Sequence, residues 1–328
     1  MVLPYYHQVT VYLTASLSLL FNSISMFFIY KHTMAEFGRY RTLMLVFSAF
    51  NLMYSIVLAI TMPAIHVYKL SFFVFTTGVG SIPVGLGRLL TATFCSTFAQ
   101  SLYLIALHFL YRYIQIVRPS SRIWFEKTSY VLVLVALYFL IAFDYGFVCF
   151  FNFGPSSVKD VYFEEQMWIF YKLNTSDVGY LGPIYALNGD VQWLDIGGLF
   201  NVSVVIGLTL IVIPFCGIGI FRSLYRHEVT SKKTKQLQKQ MFRLLLIQSF
   251  FPLAFTFVPS SSILVVSLLG RDIGARGNVV GILLTLYPVL EPLVILSCVT
   301  SYREAIKMYL GVLKYTSNRR CSVSAIKF

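Results

Sequence analysis

The sequence predicts an all-α membrane protein, a bundle of seven transmembrane helices with the N-terminus outside and the C-terminus inside. Its composition, its seven long apolar runs and its uneven distribution of basic residues predict this fold. Of the 328 residues, 57% are hydrophobic and only 12% are charged, whereas a soluble domain averages about 25% charged residues. A soluble core cannot hold this much apolar side chain, which excludes a soluble enzyme and a disordered chain.

Seven runs are long and apolar enough to cross a bilayer, which takes about 20 helical residues. Two of them contain an internal acid, Asp144 and Glu291. The runs do not alternate apolar and polar residues, so they are not strands of a transmembrane barrel. The predicted spans are 9–30, 42–62, 89–113, 128–151, 198–221, 243–269 and 278–300.

Residues 70–87 also lack charge and could form an eighth span. They contain Gly78, Gly80, Gly85, Gly87 and Pro83, and such a segment is a poor helix. An eighth span would also invert every later loop, which the distribution of charge opposes. We therefore predict that this segment is an extracellular loop.

Basic residues set the orientation, because Lys and Arg accumulate in cytoplasmic loops. Twenty of the 26 fall on one side, in segments 31–41, 112–127, 222–243 and 303–327. The N-terminus is therefore predicted outside, and the net charge of +13 reflects topology and an anionic leaflet rather than nucleic acid. Asn174, in the sequon Asn-Thr-Ser of an outer loop, is a candidate glycosylation site.

The chain lacks the motifs of metal sites and common cofactors. Its five cysteines form no CxxC and no cluster with histidine, which gives no zinc or redox motif. It has no HExxH, no P-loop and no GxGxxG after a strand. We expect no metal, no cofactor and no enzymatic activity.

Three stretches carry a family resemblance. The third span ends in HFLYRYIQIVRPS (108–120), the sixth begins with KQLQKQMFRLLLIQSFFPLAFTFVPS (235–260), and the seventh contains LYPVLEPLVILSCVTSYRE (286–304). Together they resemble the nematode serpentine chemoreceptors of the Str family. The resemblance implies a G-protein-coupled receptor for olfaction and chemotaxis, located in the cilium of sensory neurons. Its partners would be a small environmental ligand, a heterotrimeric G protein and the bilayer.

The sequence departs from the rhodopsin-like pattern. Tyr111-Arg112-Tyr113 stands where DRY would be expected, and neither CWxP nor NPxxY is present. The second outer loop, 152–197, has no cysteine, so the usual disulfide to the third helix cannot form. The Str family often has Asp where this chain has Glu291, which keeps the carboxylate and lengthens its arm.

A polar cluster is predicted near mid-membrane. Counted at 1.5 Å per residue, Asn22, Asn51 and Glu291 lie at about 12, 14 and 15 Å from the cytoplasmic ends of their helices. An unpaired carboxylate there is costly, so these groups are expected to pair. They could form a switch that repacks on signalling, a static packing device, or a route for ions or protons. His108 and Gln248 lie nearer the cytoplasm, with His108 expected to pack on the sixth helix.

Asp144 is predicted in the outer half of the fourth span. It could bind a polar or cationic ligand, or pair with a tyrosine such as Tyr145 or Tyr180. Cys95 and Cys149 are predicted in the outer parts of adjacent helices. Whether they form a disulfide or remain free thiols is left open by the sequence.

A ligand pocket is expected to open outward between the third, fifth, sixth and seventh helices, with an apolar lining that holds its ligand by shape. The candidate ligand-binding residues, besides Asp144, are Thr91, Phe94, Cys95, Phe98, Phe200, Ser203, Phe255, Ser262, Gly281 and Thr285. Each is equally suited to plain helix packing. Prolines are expected to kink the last three spans, at Pro214, Pro252, Pro259, Pro288 and Pro292.

The inner side is expected to contact the G protein. Arg112 at the membrane border either snorkels as an anchor or lines the G-protein cleft. The other candidates for this face are Arg222, Lys232, Lys233 and Lys235. Residues 1–300 form the predicted transmembrane domain, and 301–328 form a short tail whose segment 302–314 is predicted to be an amphipathic surface helix.

Two other classes of protein also have seven spans. A ligand-gated channel of the insect odorant type has its N-terminus inside, which the distribution of charge opposes. A transporter more often shows inverted repeats and matching intramembrane acids, and neither is found here.

Overall fold

A computed structural model describes residues 3–33, 38–78, 83–226 and 232–311. Within these ranges seven helices are long and apolar enough to cross a membrane, which confirms the predicted seven-helix bundle. The spans are α1 (Tyr5–His32), α2 (Tyr40–Thr61), α3 (Val84–Ile116), α5 (Thr128–Asn152), α7 (Trp193–Arg226), the joined α8 (Lys232–Pro252) and α9 (Val258–Leu268), and α10 (Asn278–Cys298). A short α4 (Ile123–Glu126) precedes α5.

The segment between α2 and α3 is a hairpin and not a span. Strand β1 (Pro63–Val67) pairs antiparallel with β2 (Phe72–Thr76). The aromatic and β-branched residues of these strands favour a sheet, and Lys69, at φ 50°, lies in the turn between them. Helix α3 begins five residues earlier than expected, because Pro83 is compatible with the position that precedes its first turn.

One end of the bundle carries a folded cap. Strand β3 (Tyr180–Leu181) extends the hairpin by pairing with β2, and helix α6 (Ser157–Tyr171) covers the sheet. The cap has its own apolar core, in which Phe73, Phe163 and Met167 are fully buried. We call this the cap end of the bundle, and the opposite end, where α4 lies, the basic end.

A second hairpin lies between the cap and α7. Strands β4 (Ala186–Leu187) and β5 (Asp190–Val191) pair antiparallel. Asn188 and Gly189 between them have φ angles of 52° and 92°. Asn-Gly is a strong short-range signal for such a turn, because both central residues of a type I′ turn need positive φ.

A buried ion pair fastens the cap to the bundle. Lys159 of α6 donates to Asp195 of α7 over 2.8 Å and to the backbone oxygen of Asn152 over 2.9 Å. The other carboxylate oxygen of Asp195 accepts from the backbone N–H of Ile184 at 2.9 Å. Burial lowers the pKa of Lys159, and the adjacent Asp195 counteracts this shift. These contacts join α6, the end of α5 and the start of α7. The intervening residues 152–197 contain no cysteine that could form a disulfide instead.

The sixth span changes its winding between two prolines. A π-helical turn, Leu253–Phe257, follows Pro252 and precedes Pro259. Pro259 has no N–H to donate to the carbonyl of Phe255 four residues earlier. A π turn accommodates such an interruption within the helix.

At the basic end the chain continues into α11 (Thr300–Tyr309). Tyr302 is buried there, and its hydroxyl lies 2.5 Å from that of Thr33 at the end of α1. Tyr309 and Leu310 are exposed. The predicted tail helix 302–314 therefore begins two residues earlier and ends at Tyr309, while residues 312–328 lie outside the described part.

Candidate ligand cavity and buried polar network

An apolar cavity of about 120 Å³ lies beneath the cap. Its wall comes from α3, α5, α7, α9 and α10, and the cap strands close one end with Ile65, Phe72 and Val74. The remaining lining residues are Phe94, Cys95, Phe98, Tyr145, Cys149, Phe153, Leu181, Pro183, Leu199, Val202, Ser203, Ile206, Ser260, Ile263, Leu264 and Val280. None of the described residues in this lining is charged.

Four of the sequence candidates lie in this wall. Phe94, Cys95 and Phe98 line it from α3, and Ser203 lines it from α7. Sequence reasoning missed the contribution of the cap, and it also missed Tyr145 on α5 and the residues of α9. Nothing in an apolar span distinguishes such positions from those that face lipid.

Three candidates lie elsewhere because of the rotation of their helices. Phe200 is 71% exposed on the outside of α7, and Ser262 is exposed on α9 while Ile263 lines the cavity. Thr91 is buried nearer the cap, where its hydroxyl contacts the backbone oxygen of Gly87 at 2.8 Å and the Thr76 hydroxyl at 2.9 Å.

Two candidates on α10 face away from the cavity. A Cβ on Gly281 would lie 3.1 Å from the backbone oxygen of Pro63 and 3.5 Å from the His7 ring. Thr285 is buried beside Val11 of α1 and Ser55 of α2. This face of α10 packs against α1, α2 and the cap, whereas Val280 lines the cavity.

Phe255 lies in the π turn and not in the cavity wall. Its ring is parallel to that of Phe251 within 7°, with centroids 6.3 Å apart, and it packs on the apolar core of the bundle. The changed winding of this turn shifts Phe255 from the position that an α-helix would give it.

Asp144 pairs with an amide rather than with a tyrosine. Its carboxylate accepts from the Asn201 side chain at 3.4 Å, while Tyr180 donates instead to Asp160 of α6 at 2.7 Å. Asp144 does not line the cavity. Neither suggested tyrosine partner was correct.

Three hydroxyls from different helices reach the cavity wall. Tyr145 lies on α5, Ser203 on α7 and Ser260 on α9. The Ser260 oxygen is buried without a hydrogen-bond partner among the described residues. A buried hydroxyl in this state is a donor that a ligand acceptor can satisfy.

A polar network lies toward the middle of the bundle, around Glu291. Its carboxylate is completely buried and accepts from Asn51 of α2 at 3.0 Å and from Gln248 of α8 at 2.9 Å. Asn51 also contacts the Asn22 side-chain oxygen at 3.3 Å. The structure thus brings Asn22, Asn51 and Glu291 together across three helices and adds Gln248, which joins the sixth span to the seventh.

A proline supplies the backbone acceptor of this network. Pro292 has no N–H, so the carbonyl of Pro288, four residues earlier, has no partner within the helix. The Asn22 side chain donates to this oxygen at 2.7 Å, and the Ser18 hydroxyl donates at 3.1 Å. The interrupted helix therefore anchors α1 to α10.

His108 contacts the second helix more than the sixth. Its Nδ1 lies 3.3 Å from the Tyr40 hydroxyl, and its ring meets those of Tyr40 and Phe47 at 5.4 and 5.3 Å. A void of about 10 Å³ separates it from Gln248. His108 therefore belongs to a separate layer, toward the basic end from Glu291.

Arg112 is buried inside the bundle, with 3% of its surface exposed. Its guanidinium carbon lies 3.7 Å from the centre of the Tyr40 ring, a cation–π contact. Its Nε and Nη2 have no hydrogen-bond partner among the described residues. Of the two alternatives for Arg112, this burial contradicts the snorkelling anchor, because this face of α3 also carries His108 and turns inward against α2. Contact with the G protein stays a prediction.

A family profile for the serpentine type 7TM GPCR chemoreceptor Str matches residues 7–307. The chain belongs to this family. The Str receptor is accordingly a G-protein-coupled receptor and a multi-pass plasma-membrane protein, and it is not an enzyme. Family membership favours this class over the channel and the transporter.

Named relatives of the receptor span most of its length. It is 25% identical to serpentine receptor class r-10 of Caenorhabditis briggsae, over 90% of this chain and 88% of the relative. It is 26% identical to the Caenorhabditis elegans protein of the same name, over 83% and 82%. The G-protein coupled receptor str-33 of C. elegans is 23% identical over 90% and 88%.

The fold of the receptor is similar to that of squid rhodopsin. It superimposes on squid rhodopsin with a TM-score of 0.65 over 94% of this chain and 86% of that one, at 11% identity. At this identity the likeness concerns the fold alone. The receptor fastens its cap without a disulfide between α3 and residues 152–197, because that loop contains no cysteine.

The remaining candidates of the receptor lie on its two ends. Arg222 is exposed and Lys235 is half-buried at the basic end, whereas the side chains of Lys232 and Lys233 lie outside the described part. Asn174 is exposed at the cap end, where its side chain donates to Asp177 at 2.9 Å. The described part holds no group of three metal-ligating residues.

Proposed function

We propose that the Str receptor detects a small, uncharged environmental ligand in the cavity and activates a heterotrimeric G protein at its basic end. The observation that supports this most is the cavity itself, which the cap closes at one end. Its described lining residues carry no charge, and among them the Ser260 hydroxyl has no hydrogen-bond partner in the described part of the chain. By the family resemblance, the site of action is the cilium of a sensory neuron, with olfaction and chemotaxis as the outcome.

The size and lining of the cavity restrict the ligand. An engineered apolar cavity of about 150 Å³ holds benzene, so a volume of about 120 Å³ suits a ligand of about six non-hydrogen atoms. Burial without a counter-charge disfavours an ionised group. The hydroxyls of Tyr145, Ser203 and Ser260 are available to orient one polar group on an otherwise apolar ligand.

The sixth span is the proposed route from the ligand to the polar network. Ser260 and Ile263 contact the cavity from α9, and the π turn lies directly below them. On the far side of that turn, Gln248 holds Glu291. A ligand shifts the equilibrium between two arrangements of these helices only if it binds one of them more tightly. Its contacts with α9 would supply this difference in affinity.

Arg112 is the proposed contact for the G protein. It carries two buried, unpaired donor nitrogens under the Tyr40 ring, and an acceptor from the partner would satisfy them. Movement of the sixth span at the basic end would expose this group. The cytoplasmic surface around it would be completed by Arg222 and the basic residues at the start of α8.

A pair of serine variants on α9 tests the ligand site. Ser260→Ala removes a cavity hydroxyl, while Ser262→Ala removes an exposed hydroxyl two residues away and serves as the matched control. In cells that express each variant, a panel of small volatile compounds is applied and Gα activation is recorded. We expect Ser260→Ala to weaken the potency of an active compound about tenfold, the value of one hydrogen bond.

The control variant should respond as the wild type does. If no compound activates the G protein, or if both variants respond equally at equal surface expression, the cavity is not the ligand site.

A further inference from the structure

Two thiols lie side by side in the wall of the cavity. Cys95 of α3 and Cys149 of α5 both line it, close enough for their side chains to interact. Both are free thiols, Cys149 buried and Cys95 half-buried. They belong to one apolar cluster, together with Tyr145 and Phe153.

The two helices approach each other closely at this level. One turn before Cys149, a Cβ on Gly146 would lie 3.5 Å from the Cβ of Ser96 and 3.9 Å from the backbone oxygen of Ala92. The small residues on both sides allow the backbones to pack together. A disulfide needs Cβ atoms about 3.5 to 4.5 Å apart, a separation that closely packed helices can provide.

We propose that Cys95 and Cys149 form a redox modification site, a dithiol that a small peroxide entering the cavity oxidises to a disulfide between α3 and α5. The two other described cysteines, Cys216 on α7 and Cys298 at the end of α10, do not line the cavity. The chemistry needs only the two thiols and the peroxide, and it does not depend on the odorant ligand or the G protein.

The reaction has two steps. Cys95 is the more accessible thiol, and its sulfur attacks one oxygen of hydrogen peroxide while the thiol proton passes to the departing oxygen. The O–O bond breaks, and Cys95 becomes a sulfenic acid while the other oxygen leaves as water. The Cys149 sulfur then attacks the sulfenic sulfur, the S–O bond breaks, and the thiol proton leaves with the hydroxide as a second water.

Overall, two thiols and one molecule of hydrogen peroxide give one disulfide and two molecules of water. The two sulfurs are oxidised and the peroxide is reduced. The bond draws the two sulfurs to about 2.05 Å from each other and removes two S–H groups from the wall. It also joins two helices that border the cavity. The shape of the ligand site would therefore differ between the two redox states.

Mass spectrometry of the full-length receptor in detergent tests this proposal. The protein is reduced with dithiothreitol, desalted, treated with hydrogen peroxide, alkylated with iodoacetamide under denaturing conditions and digested. We expect the peptides with Cys95 and Cys149 to be found joined, two hydrogen atoms lighter than their sum. Cys216 and Cys298 should remain alkylated and serve as internal controls.

Two variants separate the roles of the thiols. In Cys149→Ser the oxidation should stop at the sulfenic acid, which dimedone traps on Cys95. In Cys95→Ser, Cys149 should remain a thiol. If the Cys149→Ser receptor does not elute as a monodisperse peak in size-exclusion chromatography, Cys149→Ala is used in its place. The proposal is overturned if both thiols of the wild type remain alkylatable after peroxide, or if Cys216 and Cys298 oxidise as readily.

Discussion

At the scale of single residues, the buried polar groups carry most of the functional information. Glu291 is held by amides from two other helices, and each amide has an oxygen that is buried without a partner, Asn51 Oδ1 and Gln248 Oε1. Rotating either amide would present that oxygen instead of its nitrogen. The network therefore has alternative arrangements of similar shape, as a two-state element requires.

Substitution of Glu291 tests whether this network is a switch. Glu291→Gln should preserve folding, because a rotated Asn51 or Gln248 can accept from the new amide. It should change basal Gα activation or ligand potency, since the acidic group is gone. Glu291→Leu should be worse, because it leaves two buried donors unpaired at about 1–3 kcal/mol each.

The matched control is Glu304→Gln, an exposed acid on α11 that should leave signalling unchanged. Surface expression, basal activity and dose–response curves are measured for all three variants. Wild-type responses from both Glu291 variants would mean that the cluster only packs the helices.

At the scale of elements, the packing of the cap depends on side chains that no sequence motif identifies. His66 on β1 is buried between the rings of Phe73 and Phe170, and its Nδ1 lies 3.3 Å from the Tyr171 hydroxyl. Tyr171 in turn accepts from Asn278 at the start of α10 at 3.2 Å. These contacts join the hairpin, α6 and the seventh span around one imidazole.

The ion pair between Lys159 and Asp195 should stabilise the cap. Removing one partner leaves a buried charge, which costs about 3–5 kcal/mol. We expect Lys159→Ala to lower the melting temperature of the purified receptor clearly, whereas Lys159→Met with Asp195→Leu together should recover much of the loss. Glu164→Ala, an exposed acid on the same helix, is the control. Equal melting of Lys159→Ala and the control would show that the pair contributes nothing.

The cap should weaken in acid because of His66. Burial lowers the pKa of His66 from 6.5 to about 4, so the unfolded segment takes up a proton first as the pH falls. The neutral ring contributes its full share to the free energy of unfolding above about pH 6.5. This contribution is lost as the pH falls from about 6.5 to about 4, and the loss amounts to about 2 kcal/mol at pH 5. Tyr171, Gln166 and Asp272 face the ring, and the last two oppose the shift.

Hydrogen–deuterium exchange of residues 63–76 at pH 7 and pH 5, corrected for intrinsic rates, measures this effect. Exchange should accelerate at pH 5 in the wild type, and His66→Gln should remove most of the pH dependence. The same acceleration in the variant would assign the effect to another group.

At the scale of the whole molecule, the distribution of charge predicts the orientation of the receptor in the membrane. Twenty basic residues lie in the predicted cytoplasmic segments and six in the predicted outer segments. Those that the structure describes lie at the basic end and at the cap end, respectively. An epitope at the N-terminus should therefore be labelled on intact cells, and one on the tail only after permeabilisation. The reverse result would place the cap and its cavity in the cytoplasm and contradict the proposed function.

The seven spans, the loop between α2 and α3, and the residues of the central polar cluster could all be found in the sequence. The rotation of each helix could not. Ser203 lines the cavity while Phe200, one turn away, faces outward, and Arg112 points into the bundle although its position suggested the membrane border. The dipeptide Asn188-Gly189 predicts a β-turn from the sequence, whereas no sequence pattern predicts the ion pair between Lys159 and Asp195.

The sequence by itself determined that the chain spans a membrane seven times, because a span is a sum of apolar residues along one helix and needs no knowledge of its neighbours. It also determined the family, through motifs at the ends of three helices. Only the tertiary structure decided which faces enclose the cavity, that Gln248 completes the Glu291 network, and that two cysteines meet. Helices that are apolar all round do not encode their rotation in hydropathy, so contacts between distant segments fix it.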